Sequence, residues 1–221
     1  ARRISSQSNV ADRFDLSRWR VAGNGADMIR PDVMQSFVNA FADAGFDAKN
    51  FNPSYGLAEA TVFVATGTWD ESAPAAFFDA EALAQRQVRP CRAGQGTALV
   101  RYGVPQSPAV RIVDGDSGRE CAADAVGEIW VHGDNVADGY WGRPPAEQVG
   151  FGATIVDPSP GTPAGPWLRT GDLGFVHAGE LFVVGRIKDQ IIRGGVNISP
   201  SEIDNILARH ADIIDAAAVG V

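Results

Sequence analysis

Residues 97–185 set the fold class. Three apolar runs, "VRIVDGDSGRE" (110–120), "VGEIWVHG" (126–133) and "FVHAGELFVVG" (175–185), are too short for buried helices, and each meets a Gly or Asp turn. The last folds back around Ala178-Gly179 as a hairpin, and alternation puts Glu128 and Trp130 on one face of the second. This part of the chain is therefore β-rich, and a small barrel or sandwich is expected, with Trp130, Trp141 and Trp167 in its core.

The flanking regions read differently. "RWRVAG" (18–23) is predicted as a strand and Asn24-Gly25 as a tight turn. "RPDVMQSFVNAFADAG" (30–45) is a helix with Pro31 in its first turn, Met34, Phe37, Val38 and Phe41 on one face, and Gly45 as its stop. A loop with Pro53, Tyr55 and Gly56 then leads to a strand over 61–66, and 77–87 reads as one helix whose Phe77-Phe78 pair needs cover. From Arg186 the pattern changes again. Ser199, Pro200 and Glu202 form a capping box for a helix faced by Ile203, Ile206 and Leu207, so a second small domain begins here. The last stretch, Asp215–Val221, reads as a strand that would need a partner, and the whole is expected to be a piece of a longer chain.

Composition excludes some partners. A net charge of -8 argues against nucleic acid. No apolar run approaches the roughly 18 residues that span a bilayer. Two cysteines, Cys91 and Cys121, fit no metal spacing, and a reducing, cytoplasmic setting is expected.

Three stretches carry chemistry-bearing residues. "NPSYGLAEAT" (52–61) sets an aromatic beside a glycine and a carboxylate four residues on: an exposed ring can stack on a heterocycle, and Glu59 can hold Mg²⁺ near phosphates. "WLRTGDLG" (167–174) places Asp172 in a turn, where a carboxylate can accept both hydroxyls of a ribose. "GRIKDQIIRGG" (185–195) offers the planar donor fork of Arg186, one of the chain's two lysines at Lys188, and two glycines that allow close approach of a ligand. Each has a bland alternative: a tyrosine packed under a turn, an aspartate bonding its own backbone, a solvated linker.

Taken in order, "NGAD" (24–27), "YGLAE" (55–59), "GEIWVHGDNVADGYWGRP" (127–144), "LRTGDLG" (168–174) and "GRIKDQIIRGGVNISPSEID" (185–204) resemble the adenylate-forming superfamily of acyl-CoA ligases, peptide-synthetase adenylation domains and luciferases. "PSYGLAEATVFVAT" and "GPWLRTGDLGFVHAGELFVVGRIKD" are similar to the long-chain fatty acyl-AMP ligases of mycobacterial-type lipid synthesis. The resemblance implies an α/β plus β fold. Residues 1–96 would end an α/β subdomain, with a subgroup-specific insertion at about 67–96. Residues 97–185 would form a barrel-like subdomain, and 186–221 the hinge and beginning of a small α+β domain.

The resemblance also implies ATP and Mg²⁺ as cofactors, a long-chain fatty acid as substrate, and transfer of the acyl group to an acyl carrier protein or polyketide synthase. An acyl-CoA ligase or a non-catalytic adenylate-binding module are the alternatives. Carried over by residue, Tyr55 and Gly56 would meet adenine on one side and Gly25 and Ala26 on the other. Asp172 and Arg186 would hold the ribose, Glu59 the Mg²⁺, and Lys188 would be a hinge with no chemical role. This chain departs from many relatives in having Asp27-Met28 for Glu-Pro and Ala58 for Thr. It also has Gly195-Val196-Asn197-Ile198 where acyl-AMP ligases often read Gly-Arg-Asn-His, a CoA-ligase-like trait. The superfamily's phosphate loop and catalytic lysine are expected outside these residues, so the 221 residues alone are expected not to make acyl-AMP.

Overall fold

The computed structural model describes residues 10–67, 75–107, 109–144, 147–193, 196–198, 200–207, 210, 212–213 and 216–218. After a single helical turn, α1 (Val10–Arg13), a parallel pair opens the fold: β1 (Ala22–Asn24) and β2 (Phe51–Tyr55), joined by the crossover helix α2 (Pro31–Phe41). Pro31 presets the first turn of α2 and Met34 and Phe41 are buried. Gly45 ends the helical region with φ +85, and a Cβ there would press within 3.1 Å of Ser17. The expected strand at 18–23 starts only at Ala22 and runs through Asn24, so Asn24 is a strand residue and not part of a tight turn.

The strand expected at 61–66 shrinks to β3 (Ala65–Thr66), which pairs antiparallel to β2 with Tyr55 opposite Ala65. Residues 56–64 must reverse the chain, and Thr61 (φ 53) and Val62 (φ 72) sit in the left-handed region, which cannot continue a strand. The helix expected over 77–87 is also corrected. Phe77 and Phe78 belong to β4 (Ala75–Phe78), antiparallel to β5 (Thr97–Val100), and only α3 (Ala80–Ala84) is helical. Asp79 caps α3 by accepting from the Ala82 N–H at 2.9 Å. Aromatic residues suit a pleated surface, and Phe78 is 1% exposed against Phe175 and Phe182 with ring centroids 4.9 and 5.0 Å away.

The β-rich stretch forms one five-stranded antiparallel sheet from β6 (Ala109–Asp114), β7 (Arg119–Glu120), β8 (Gly127–His132), β9 (Leu168–His177) and β10 (Glu180–Arg186), in the order β10-β9-β8-β6-β7. The β9–β10 hairpin turns at Ala178 (φ 51) and Gly179 (φ 83), the paired positive values that match strand twist. One side chain cluster joins Ile129, Val131, Leu168, Leu181 and Val183 to Tyr55 of β2, to Val64 just before β3 and to Tyr102 just after β5, which fixes the two sheets against each other. Trp130 and Trp167 are buried as expected, but Trp141 is wholly exposed at 102%, because it lies on the loop after β8 and not in a strand.

Beyond β10, β11 (Ile191–Arg193) and β12 (Val196–Ile198) form a hairpin followed by α4 (Pro200–Leu207). The expected cap Ser199 and the pair Gly194-Gly195 lie outside the described residues. Of the strand expected at Asp215–Val221, only Ala216–Ala218 are described, without regular structure. Among the described residues no helix is long and apolar enough to cross a membrane.

Candidate functional site

The end of β2, the loop after β1, the middle of β9 and the end of β10 meet at a cleft of about 60 Å³. Ala26, Tyr55, Gly56, Asp172 and Arg186 line it, five residues separated by up to 160 positions in the chain. Gly25 stands directly behind, where a Cβ would lie 3.1 Å from the Ser54 carbonyl oxygen. Gly56 is fixed more strictly: a Cβ there would fall 1.6 Å from the Val62 carbonyl oxygen, so the returning chain crosses where any side chain would stand.

Asp172 is at the centre, and not in a turn as expected. It lies inside the ten-residue β9, opposite Arg186 of β10. The Tyr55 hydroxyl donates to Asp172 Oδ2 at 2.8 Å, and Arg186 Nε stands 3.5 Å from Oδ1. Tyr55 is likewise not an exposed loop ring: it ends β2 and is 8% exposed. Burial raises the Asp172 pKa above the ordinary carboxylate value, against the opposing pull of the Tyr55 hydrogen bond and the Arg186 charge. Burial, then the Asp172 charge, pushes the Tyr55 hydroxyl well above the usual phenol range. Tyr102, which the sequence did not single out, packs edge-on to Tyr55 at 6.0 Å, and burial pushes its pKa up to about 12.

Two side chains, Glu128 and Thr170, hold Asp172 in place. Glu128, 3% exposed, accepts from Trp130 Nε1 at 2.9 Å, from Arg169 Nε at 2.9 Å and from the Gly171 N–H at 3.1 Å. Thr170 Oγ1 donates to the Ile129 carbonyl and accepts from the Asp172 N–H at 3.1 Å. A buried carboxylate with this many donors is fully satisfied and pins the strand on which Asp172 rides.

Glu59 and Lys188 do not line the cleft. Glu59 is partly buried on a helical turn, Ala58–Ala60, and its Oε1 accepts from the Tyr140 hydroxyl at 2.5 Å. Among the described residues no group of three or more His, Cys, Asp or Glu could hold a metal ion. A single solvent-accessible carboxylate suits Mg²⁺, which takes few protein ligands and completes its shell with phosphates and water. Lys188 is exposed on the single turn Ile187–Asp189 that joins β10 to β11.

A larger cavity of about 500 Å³ lies beside the cleft and shares Met28, Tyr102 and Val183 with it. Its walls are Phe77 and Leu83 of the β4–α3 segment, residues 97–100 of β5, and Gln190 and Ile206 from beyond β10. Its wall carries a different carboxylate–arginine pair, Arg30 and Asp32 at 2.7 Å, and neither Asp172 nor Arg186.

Residues 2–141 match the AMP-binding enzyme family. The long-chain-fatty-acid–AMP ligase FadD28 of Mycobacterium tuberculosis is 46% identical over 204 residues, covering 92% of this chain and 35% of that protein. FadD23 of the same organism, also a long-chain-fatty-acid–AMP ligase, is 47% identical over 191 residues, 86% of this chain and 33% of its own length. The fatty acyl-adenylate ligase of L. pneumophila, solved with acyl adenylate and pyrophosphate, superposes with a TM-score of 0.75 at 39% identity over 93% of this chain and 35% of that one. The mixed α/β architecture is therefore that of an adenylate-forming domain, and the chain spans about a third of the length of the curated relatives it matches.

Proposed function

This chain belongs to the AMP-binding enzyme family, and from that membership we propose that it is part of a ligase that activates a long-chain fatty acid with ATP to an acyl-adenylate. The observation that carries this reading is Asp172, held between the Tyr55 hydroxyl and Arg186 in a cleft that Gly56 and Ala26 also line. An ionised carboxylate has about four lone-pair sites. Tyr55 occupies one and Arg186 stands at another, which leaves two to accept the two hydroxyls of a ribose, with Arg186 fixing the orientation. The Tyr55 edge, Gly56, Gly25 and Ala26 then bracket the adenine. At about 60 Å³ the cleft holds less than the few hundred cubic ångströms typical of ligand sites, so the remaining walls belong to other parts of the protein.

The fatty acid carboxylate attacks the α-phosphorus and pyrophosphate leaves. The protein's contribution is positioning and electrostatics. Mg²⁺, when bound, neutralises phosphate charge. Glu59 is the residue of this chain that would hold it. The proposed division is an α/β part at 1–96, with the subgroup insertion at about 67–96, a β part at 97–185, and a hinge with the start of a small domain at 186–221. Lys188 is the pivot. The insertion is proposed to restrain the small domain, and in support Phe78 anchors β4 in the core while Phe77 and Leu83 face a cavity bordered by Gln190 and Ile206.

The proposed acceptor of the acyl group is the thiol of an acyl carrier protein or polyketide synthase. Coenzyme A is the second reading, favoured by the CoA-ligase-like residues 191–204. The test of the first step is fatty-acid-dependent ATP–pyrophosphate exchange by the complete protein, with binding of an acyl-sulfamoyl-adenosine by Asp172→Ala. Exchange in the parent and lost binding in the variant are expected. Exchange that does not depend on fatty acid, or binding that survives, contradicts the reading.

A further inference from the structure

The turn that carries Glu59 is gripped by the loop that follows β8. The Ala137 N–H donates to the Glu59 carbonyl at 2.8 Å and Thr61 Oγ1 donates to the Asn135 carbonyl at 2.6 Å. Asn135 Nδ2 donates to the carbonyls of Ala60 at 3.1 Å and Phe63 at 3.4 Å, while its own Oδ1 accepts from Ser107. Tyr140 then reaches the Glu59 carboxylate itself. All of these connect segments more than 70 residues apart, apart from the Ser107 bond, so local turn chemistry does not account for them.

A hydrogen bond to a carboxylate that water can reach is by itself weak evidence of a role, because water can replace it. Here the donor is braced. The Tyr140 ring meets Phe151 edge-on at 5.3 Å, and the Arg143 guanidinium lies over it at 5.8 Å. The Tyr140 backbone is locked on both sides by Gln148, which accepts from its N–H at 2.6 Å and donates to its carbonyl at 2.9 Å. The gripped turn is strained, since Thr61 and Val62 hold left-handed φ that β-branched residues avoid, and the Asn135 bonds close on either side of them. A rigid donor aimed at one oxygen of a carboxylate on a strained, clamped turn sets the direction of the other oxygen.

We propose that Tyr140 and Asn135 are positioning residues for Glu59: Tyr140 takes one lone pair of Oε1, Asn135 holds the turn, and the rest of the carboxylate is left aimed at the divalent cation that accompanies the nucleotide. This rests on the reading of Glu59 as the Mg²⁺ ligand. Outer partners of this kind typically change metal affinity by about 10- to 100-fold when removed.

The experiment uses the complete ligase with α,β-methylene-ATP, and Mn²⁺ in place of Mg²⁺ so that bound metal is read by electron paramagnetic resonance. Tyr140→Phe keeps the ring and its contacts, and Thr61→Val keeps the shape of the turn while removing its bond to Asn135. Both are expected to weaken Mn²⁺ binding, Tyr140→Phe by about 10-fold, with nucleotide affinity measured in excess chelator unchanged. Wild-type Mn²⁺ affinity in both, with loss in Glu59→Gln, overturns the positioning role and leaves Glu59 as ligand. Wild-type affinity in Glu59→Gln overturns the underlying reading as well. Equal losses of metal and metal-free nucleotide binding also overturn the proposal, because they are what a merely structural clamp would give.

Discussion

Tyr55 and Asp172, 117 residues apart in sequence, are joined by a 2.8 Å hydrogen bond that ties the parallel sheet to the hairpin sheet. The bond does two things at once. It sets the ring that would border the base, and it uses one lone pair of the carboxylate that would hold the sugar. Tyr55→Phe separates these roles. The ring stays, and the loss of a hydrogen bond to a charged group is expected to raise the KM for ATP about tenfold, or about 1.4 kcal/mol, with kcat nearly unchanged. Steady-state kinetics of the complete ligase checks this; a lowered kcat with unaltered KM would place Tyr55 elsewhere in the reaction.

Asp172 carries a stability cost, which the proposed ribose contact explains. Its pKa is raised, chiefly by burial, so the folded state binds the proton more tightly than the unfolded chain does. Linkage then runs one way: stability is greatest below the ordinary carboxylate range and falls as pH rises through the window up to the raised value, staying lower above it. Asp172→Asn removes the charge and is expected to melt higher than the wild type at neutral pH, with the advantage gone in acid, while binding adenylate poorly. Thermal melts from pH 3 to 8 test the sign; a lower melting temperature for the variant at pH 7 would show that Arg186 outweighs burial.

Glu128 is the opposite case, a buried carboxylate whose donors satisfy it. Glu128→Ala leaves Trp130 Nε1 and the Gly171 N–H unpaired beside Arg169 and is expected to cost about 3 kcal/mol, by denaturant unfolding. Arg169 is 41% exposed and can turn to water, so the loss falls at the lower end for a broken buried pair.

The glycines of the site separate by geometry. Gly56→Ala sets a Cβ 1.6 Å from a backbone oxygen and is expected to prevent the Thr61–Val62 return, with loss of soluble protein or of several kcal/mol. Gly25→Ala needs only a few tenths of an ångström from Ser54 and is expected to fold normally. Expression and melting of the two variants side by side test the contrast.

Much of the fold could be read from local pattern. Helix α2 and the β9–β10 hairpin follow from periodicity and turn residues that agree with the tertiary structure. Phe77-Phe78 did not, because "FFDAEALAQRQ" has good helix formers and the aromatic pair is claimed by the sheet only through Phe175 and Phe182. Asp172 looked like a turn residue because Thr-Gly-Asp is turn-like, yet Gly171 (φ +74) is a kink inside a long strand. Trp141 was assigned to the core on its chemistry alone, and the loop after β8 exposes it. For the site, the resemblance named Tyr55, Asp172 and Arg186, and the cleft brings them together. Tyr102, Asn135 and Tyr140 carry no such signal: the last two lie inside the run 127–144, whose spacing does not show that this loop folds onto residues 57–63.

The central claim is that these residues serve an enzyme that makes an acyl-adenylate and passes it to a carrier thiol. The most direct measurement incubates the complete ligase with ATP, Mg²⁺ and a long-chain fatty acid, with and without coenzyme A, and follows products by mass spectrometry. Accumulating acyl-AMP that coenzyme A leaves untouched is the predicted result. Acyl-CoA formed at a comparable rate would contradict the carrier-thiol assignment, and the absence of acyl-AMP under every condition would contradict the claim itself.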